Sequence, residues 1–230
     1  MAEGHIHKRY DGELNHLHYL ILEMGELVIG QLIDALKAFE SRNISLAQAV
    51  VSRDSEVDLM EVKTDEEITK LLARRSPVSA DLRMVITVSK CISDLERIGD
   101  EAVRIAGLAL LQFERVAHNS ESHMLYDVKR MGKKALFSLE GAVKLFEVWD
   151  EDLAQGIIDN HNAMEEEFQS DLRGLITYIM EDNRTIGYAI TVALIIKSLE
   201  RIGHYAKNMT EYIVFQLKGV DVRGQQPKKE

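Results

Sequence analysis

The chain has 230 residues, 46% of them hydrophobic, and 28 Lys and Arg against 38 Asp and Glu give a formal net charge of −10. That length can bury a sizeable core as one domain or two small ones, and the acidic balance argues against a nucleic-acid footprint and for cations or basic partner surfaces. No apolar run approaches the roughly 18–20 residues of a membrane span, Met1–His5 carries no signal-peptide core, and the single cysteine, Cys91, allows no internal disulfide and fits a reducing cytoplasm.

Only two prolines occur, Pro77 and Pro227, so long uninterrupted helices are expected. The first helix runs roughly over Gly12–Glu40, with Leu14, Leu17, Ile21, Met24, Val28, Leu32 and Leu36 at helical spacing. Asn43-Ile44-Ser45 ends it, and Ser45 with Gln48 reads as a capping box opening a second helix over about Leu46–Arg75. Ser76-Pro77 reads as an N-cap followed by proline at the first helical position, starting a third helix that reaches about Ala117. His118–Glu121 is a polar link. A fourth helix is expected over about Met124–Trp149, a fifth from Asp152 to about Glu181, and a sixth from about Arg184 to Lys218. Period-2 alternation and hairpin turns are absent, so the fold class is all-α. The expected organisation is a three-helix repeat over 1–117, a second over 118–218 and a polar, flexible tail over 219–230.

The pentapeptide Leu-Glu-Arg-Ile-Gly carries the repeat, at Leu95–Gly99 and again at Leu199–Gly203, an offset of 104 residues. In the second helix of each half the offset is 107, which places Asp54 on His161 and Val57-Asp58 on Met164-Glu165. So specific an internal identity marks a tandem duplication. Gly99 and Gly203 each cost about 1 kcal/mol against alanine in a helix interior, so their recurrence predicts close approach of a neighbouring helix.

Each pentapeptide holds an acid and is followed by a second ligand type four residues on: Glu96 with Asp100, and Glu200 with His204. Residues four apart lie about 40° apart on a helix and share a face. On the second helix of each half the pairs are Asp54 with Asp58 and His161 with Glu165. Their wheel positions coincide with the apolar stripe, which predicts that the pairs turn into the seam between two antiparallel helices. Buried carboxylates that crowd one another must pair, protonate or hold a cation. Asp54, Asp58, Glu96 and Asp100 form an all-oxygen set suited to Mg²⁺, Mn²⁺ or iron. His161, Glu165, Glu200 and His204 form a mixed nitrogen and oxygen set better suited to Zn²⁺ or Fe²⁺. The competing reading is a rim of solvated acids that binds nothing, with Arg97 and Arg201 in surface ion pairs. His5 and His7 belong to a terminus outside the first helix. Glu13 and His16 form one Glu-x-x-His pair of the di-iron type with no matching second copy, and Cys91 reads as a small buried residue.

Arg74-Arg75-Ser76-Pro77-Val78-Ser79-Ala80-Asp81-Leu82-Arg83 followed by Asp94–Ala102 resembles the first repeat of the PhoU family. Tyr178–Ile186, Ser198–Gly203 and Leu217–Arg223 resemble its second repeat. The resemblance covers nearly the whole chain. It implies two three-helix bundles related by a pseudo-two-fold axis, with divalent metal ions (Fe, Zn, Mn or Mg) bound by the paired acidic motifs. By position Asp54, Asp58, Glu96 and Asp100 match the first motif and Glu165 and Glu200 the second, whereas His161 and His204 depart from the family's aspartates. It further implies a cytoplasmic, non-enzymatic negative regulator of phosphate uptake and phosphate-starvation signalling, often a homodimer. Its partners would be the cytoplasmic side of the phosphate ABC transporter and the phosphate-sensing histidine kinase, with no nucleic acid and no membrane insertion. Two other readings remain at this point, a metal-storage or di-iron redox bundle and a purely structural dimer.

Overall fold

The structure is a computed structural model that describes residues 3–113 and 121–219. Its helices are α1 (Glu3–Ser41), α2 (Ile44–Ser52), α3 (Asp54–Arg75), α4 (Ser79–Phe113), α5 (Glu121–Glu147), α6 (Glu151–Glu181) and α7 (Ile186–Lys218). A short 3₁₀ turn, Asn183–Thr185, precedes α7. No strand occurs among the described residues. The end of the expected third helix (114–117), most of the polar link (118–120) and the tail from 220 onward lie outside the described residues.

All six expected helices are present, and the second comes in two pieces. The interruption falls at Arg53, which sits at φ −91° and ψ 4° between α2 and α3. Two contacts from α1 hold it there: Gln31 Nε2 donates to the Arg53 carbonyl at 3.1 Å, and the Arg53 guanidinium pairs with Asp34 at 2.7 Å. At that point the ladder tightens to i→i+3 bonds, Arg53 N–H to the Val50 carbonyl at 3.2 Å and Glu56 N–H to the Arg53 carbonyl at 3.1 Å, with Gln31 inserted on the same carbonyl, and the helix is interrupted there.

Three expected ends move for local reasons. The cap of α2 is Asn43, whose Oδ1 accepts from the Leu46 N–H at 3.0 Å, rather than Ser45. Ser76 is no N-cap: it closes α3 in the left-handed region (φ 47°) with its N–H on the Leu72 carbonyl, and α4 begins three residues later at Ser79. The chain must reverse there to lay α4 antiparallel to α3, and a left-handed residue accomplishes that reversal. The first helix begins at Glu3 and so includes the positions of His5 and His7, contrary to the expectation of a separate terminus.

Helices α4 and α7 make the most extensive contact, α1 lies against α4, and α5 lies against α7. The α2–α3 pair covers α1 and α4, and α6 covers α5 and α7. One contiguous core threads all of them, with Met24, Leu32, Ile92, Leu95, Ile98, Met131, Leu139, Leu199 and Ile202 fully buried. The two halves are thus α1 with α2–α3 and α4, and α5 with α6 and α7.

Paired contacts locate the axis between them. A Cβ on Gly25 of α1 would meet Val143 of α5, and a Cβ on Gly132 of α5 would meet Leu36 of α1. The offset of 107 converts one pair into the other. Across α4 and α7, Arg201 pairs with Glu101 at 2.7 Å, while Arg97 lies 5.9 Å from the ring of Tyr205, the residue that the offset of 104 places on Glu101. Every one of these contacts maps onto its own mate, which is the signature of a two-fold relation.

Candidate functional site

Each pentapeptide glycine does the same job. A Cβ on Gly99 would stand 3.2 Å from Val57 Cγ1, and a Cβ on Gly203 would stand 2.8 Å from Met164 Sδ. Val57 and Met164 are the residues that the offset pairs. The missing side chain lets α4 seat against α3, and α7 against α6, in one shared register, and that register fixes which polar residues face one another across each seam.

In the first half Asp54, Asp58 and Glu61 of α3 come close to Glu96 and Asp100 of α4. Glu96 is half-buried, and its carboxyl is pushed up from 4.5 to about 7, first by burial and then by Asp100, Glu61 and Asp58, with Arg97 opposing. Burial followed by Asp54, Asp58, Glu101 and Glu61 raises Asp100. Asp54 is raised by burial and Asp58. Ser93 Oγ donates to Glu61 Oε1 at 3.1 Å and fixes that carboxylate at the seam. The acids do not lie inside the seam as expected: Asp58 and Asp100 are exposed, and Asp54 and Glu96 are half-buried. Carboxylates that repel one another are better placed at the rim, where water screens their charge.

The second half places His161 and Glu165 of α6 against Glu200 and His204 of α7. The rings of His161 and His204 meet edge to face with centroids 5.3 Å apart. His161 is 5% exposed, and its Nδ1 has no hydrogen-bond partner. Burial, then Lys207 and His204, lower its pKa, while Glu200 and Glu165 oppose. Glu200 is also buried, and it pairs with Lys197 at 2.5 Å. Lys197 in turn lies 4.8 Å from the centre of the Phe168 ring. Here the expected inward turn holds for His161 and Glu200, whereas Glu165 and His204 are exposed. Among the described residues no group of three or more His, Cys, Asp or Glu side chains is placed to hold a metal ion.

Some partners were not singled out by sequence reasoning. Lys197 and Phe168 occupy the positions of Ser93 and Glu61, a substitution visible only once both offsets are applied together. Arg201 does not form a surface ion pair, because Glu101 is 5% exposed. Glu13 is engaged by the Arg75 guanidinium through two bonds of 2.7 and 2.9 Å, which takes the acid of the lone Glu-x-x-His pair away from any di-iron role. Cys91 is fully buried as expected, and burial raises its thiol well above the ordinary range.

The sequence profile of the PhoU domain matches residues 21–109 and again 128–213, one match in each half. The chain belongs to the PhoU family. It is 37% identical over 220 residues to the phosphate-specific transport system accessory protein PhoU homolog of Pseudomonas putida, covering 95% of this chain and 84% of that protein. Against the phosphate-specific transport system accessory protein PhoU of Escherichia coli K12 the identity is 35% over 221 residues, with 95% and 89% covered. The crystal structure of PhoU from Pseudomonas aeruginosa superposes with a TM-score of 0.87 at 34% identity, covering 92% of this chain and all of that one. The phosphate transport system regulatory protein PhoU from Streptococcus pneumoniae gives 0.82 at 27% identity, with 93% and 99% covered. No helix among the described residues is long and apolar enough to cross a membrane.

Proposed function

We propose that this protein is a negative regulator of phosphate uptake and phosphate-starvation signalling. It acts without enzymatic activity, as a cytoplasmic homodimeric adaptor between the cytoplasmic side of the phosphate ABC transporter and the phosphate-sensing histidine kinase. Membership in a family whose relatives carry phosphate-transport names supports the reading, because both repeats match and the match spans the chain. The acidic composition fits basic partner surfaces rather than nucleic acid.

The α3–α4 seam is the part of the adaptor that takes a divalent cation. Asp54, Asp58, Glu96 and Asp100 supply oxygens only, and Glu61, held by Ser93, adds another. That donor set fits Mg²⁺, Mn²⁺ or iron, and burial together with neighbouring acids raises the carboxyls of Asp54, Glu96 and Asp100, a crowding of like charge that a cation would relieve. A bound ion supplies positive charge to this rim. The residues themselves join α3 to α4, so loading the rim tightens one edge of the first half and biases which conformation meets a partner.

A chromosomal deletion strain grown in high phosphate, with a starvation-promoter reporter, tests the reading. Reporter activity should rise in the deletion strain, return to the repressed level on expression of the intact chain, and stay high on expression of Glu96→Gln with Asp100→Asn. Continued repression in the deletion strain contradicts the regulatory role.

A further inference from the structure

Helices α4 and α7 run antiparallel, with Thr87 bonded to the Tyr212 carbonyl, Cys91 beside the Met209 carbonyl and Arg201 paired with Glu101. Continuing that register sets the end of α4, at Leu111, beside the start of α7, at Ile190. Ile186, Ile190 and Leu194 recur every four residues on α7 and form one outward stripe. Ile176 and Met180 stand at the adjoining end of α6, and all six side chains are between 37% and 82% exposed. Together they lay open roughly 600–700 Å² of aliphatic side chain, more than the roughly 300–600 Å² of the largest patch on a typical monomer and close to the roughly 800 Å² that each side of a standard interface buries.

The internal duplication supplies a control for this patch. Its mates at the other end of the α4–α7 pair are Leu82, Ile86, Lys90 and Phe215, with Thr69 and Ala73 on α3. Of these six only Ile86 is an exposed large aliphatic side chain, and Lys90 lies 5.0 Å from the centre of the Tyr212 ring. The frame is common to both ends, so the frame does not require the aliphatic patch. Toward the middle of the pair the projecting groups are cations. Arg97, Lys197 and Arg201 are each tied to a buried acid beneath them, Asp94, Glu200 and Glu101, and Arg104 is an exposed guanidinium beside them. A partner lying along this lane meets aliphatic groups first and positive tips next.

We propose that the lane between α4 and α7 docks an amphipathic helix of a protein partner, aliphatic over one half and acidic over the other. A groove between two antiparallel helices is the shape such a helix fills. From Leu111 to Arg97 the lane is about 20 Å long, which matches about 14 residues or four turns of partner helix. Its aliphatic turns sit on Leu111, Ile190 and Leu194, and its carboxylates reach Arg97, Arg104, Lys197 and Arg201. Charge complementarity then fixes the direction in which it lies. An anionic bilayer fits less well, because the chain as a whole carries a net charge of −10. The inference goes beyond the regulatory reading and uses none of the acids on the α3–α4 rim.

The test uses the full chain in chelator and two fluorescein-labelled synthetic helical peptides of about 14 residues. One carries leucines at helical spacing in its first two turns and glutamates in its last two, and the other has lysines in place of the glutamates. Fluorescence anisotropy should show the glutamate peptide binding at least about tenfold more tightly than the lysine peptide. That affinity should fall at least about tenfold in Ile190→Glu and in Leu111→Glu, and stay unchanged in Ile86→Glu at the mate position. Arg104→Glu should weaken the glutamate peptide and strengthen the lysine peptide. These side chains are exposed, so their replacement leaves the core in place, and equal thermal midpoints check it. No binding of either peptide, equal binding of both, or indifference to Ile190→Glu overturns the proposal. So does a chain that ignores the peptides and sediments as a dimer which Ile190→Glu splits, since the face then belongs to a second copy. Pelleting with phosphatidylglycerol vesicles that Ile190→Glu abolishes, again with no peptide bound, assigns the face to lipid and overturns it too. None of these outcomes alters repression in the reporter strain expressing the intact chain, so the regulatory reading is tested separately.

Discussion

Glu96 shows how position on a helix sets the charge state of a carboxyl. Its carboxyl ionises near 4.5 in the unfolded chain and near 7 in the fold, because burial and three neighbouring acids oppose its charge. Between those values the unfolded state has already released the proton that the folded state still holds, so stability falls as pH rises from 4.5 through 7. Asp54 and Asp100 are shifted in the same direction. His161 works the other way: its lowered pKa makes the unfolded state the stronger proton binder just below 6.5, so its contribution grows as pH rises there. Comparing the intact chain with Glu96→Gln isolates the glutamate. In chelator, denaturant unfolding should show the variant gaining stability relative to the intact chain as pH climbs from 4.5 to above 7, with no gain at pH 4. A difference that stays constant across that range would contradict the account of Glu96. The pairing of these residues could be read from the sequence, since spacing of four and the offset between repeats are both written in it. Their depth could not. Wheel phase gives a direction but not the distance from the neighbouring helix, so Asp58 and Asp100 were expected inside a seam and stand at its edge.

At the scale of the helices, tight crossings depend on missing side chains. Gly25 faces Val143, and an added Cβ would meet both valine methyls at 2.8 and 2.9 Å. Valine is stiff at χ1 and cannot swing both away, so the overpacking cost of about 1–3 kcal/mol exceeds the roughly 1 kcal/mol gained by replacing a helical glycine with alanine. Gly25→Ala should therefore lower stability to denaturant, and adding Val143→Ala should recover part of the loss. Gly107 in α4 has nothing within 4 Å of a Cβ, so Gly107→Ala should raise stability by up to about 1 kcal/mol. The same denaturant series on both variants checks the contrast. Helix number and extent were legible because apolar spacing persists over many turns and proline is nearly absent. The ends were less so. Asn43 and Ser76 take their roles from where the chain must turn, and Gln31 and Asp34 of α1 break the second helix at Arg53 from a distance that no local pattern carries.

For the whole molecule the decisive feature is a pair of unlike halves on one symmetric frame. The contact of Arg201 with buried Glu101 crosses the axis and ties the rear of one motif to the other. Removing the arginine leaves a buried carboxylate alone, so Arg201→Leu should cost about 1.5–3 kcal/mol, whereas Arg201→Leu with Glu101→Leu should recover most of it, since removing both partners of a buried pair is commonly close to neutral. Equal losses in the single and double variants would show that the pair does not act as one unit. The duplication itself was legible from five identical residues, and the mate-to-mate contacts at Gly25, Gly132, Arg97 and Arg201 give it a geometric meaning that the sequence lacked. The divergence of the halves was only half visible. The histidines were plain, but Lys197 and Phe168 gained significance once the fold set them against Glu200. The claim on which the rest depends is that the acids of α3 and α4 gather a divalent cation. Thermal unfolding of the chelated chain above pH 7, repeated after adding Mn²⁺, measures it directly. The midpoint should rise with Mn²⁺ concentration in the intact chain and stay fixed in Glu96→Gln with Asp100→Asn. An intact chain indifferent to Mn²⁺, or an equal rise in the variant, would contradict the account.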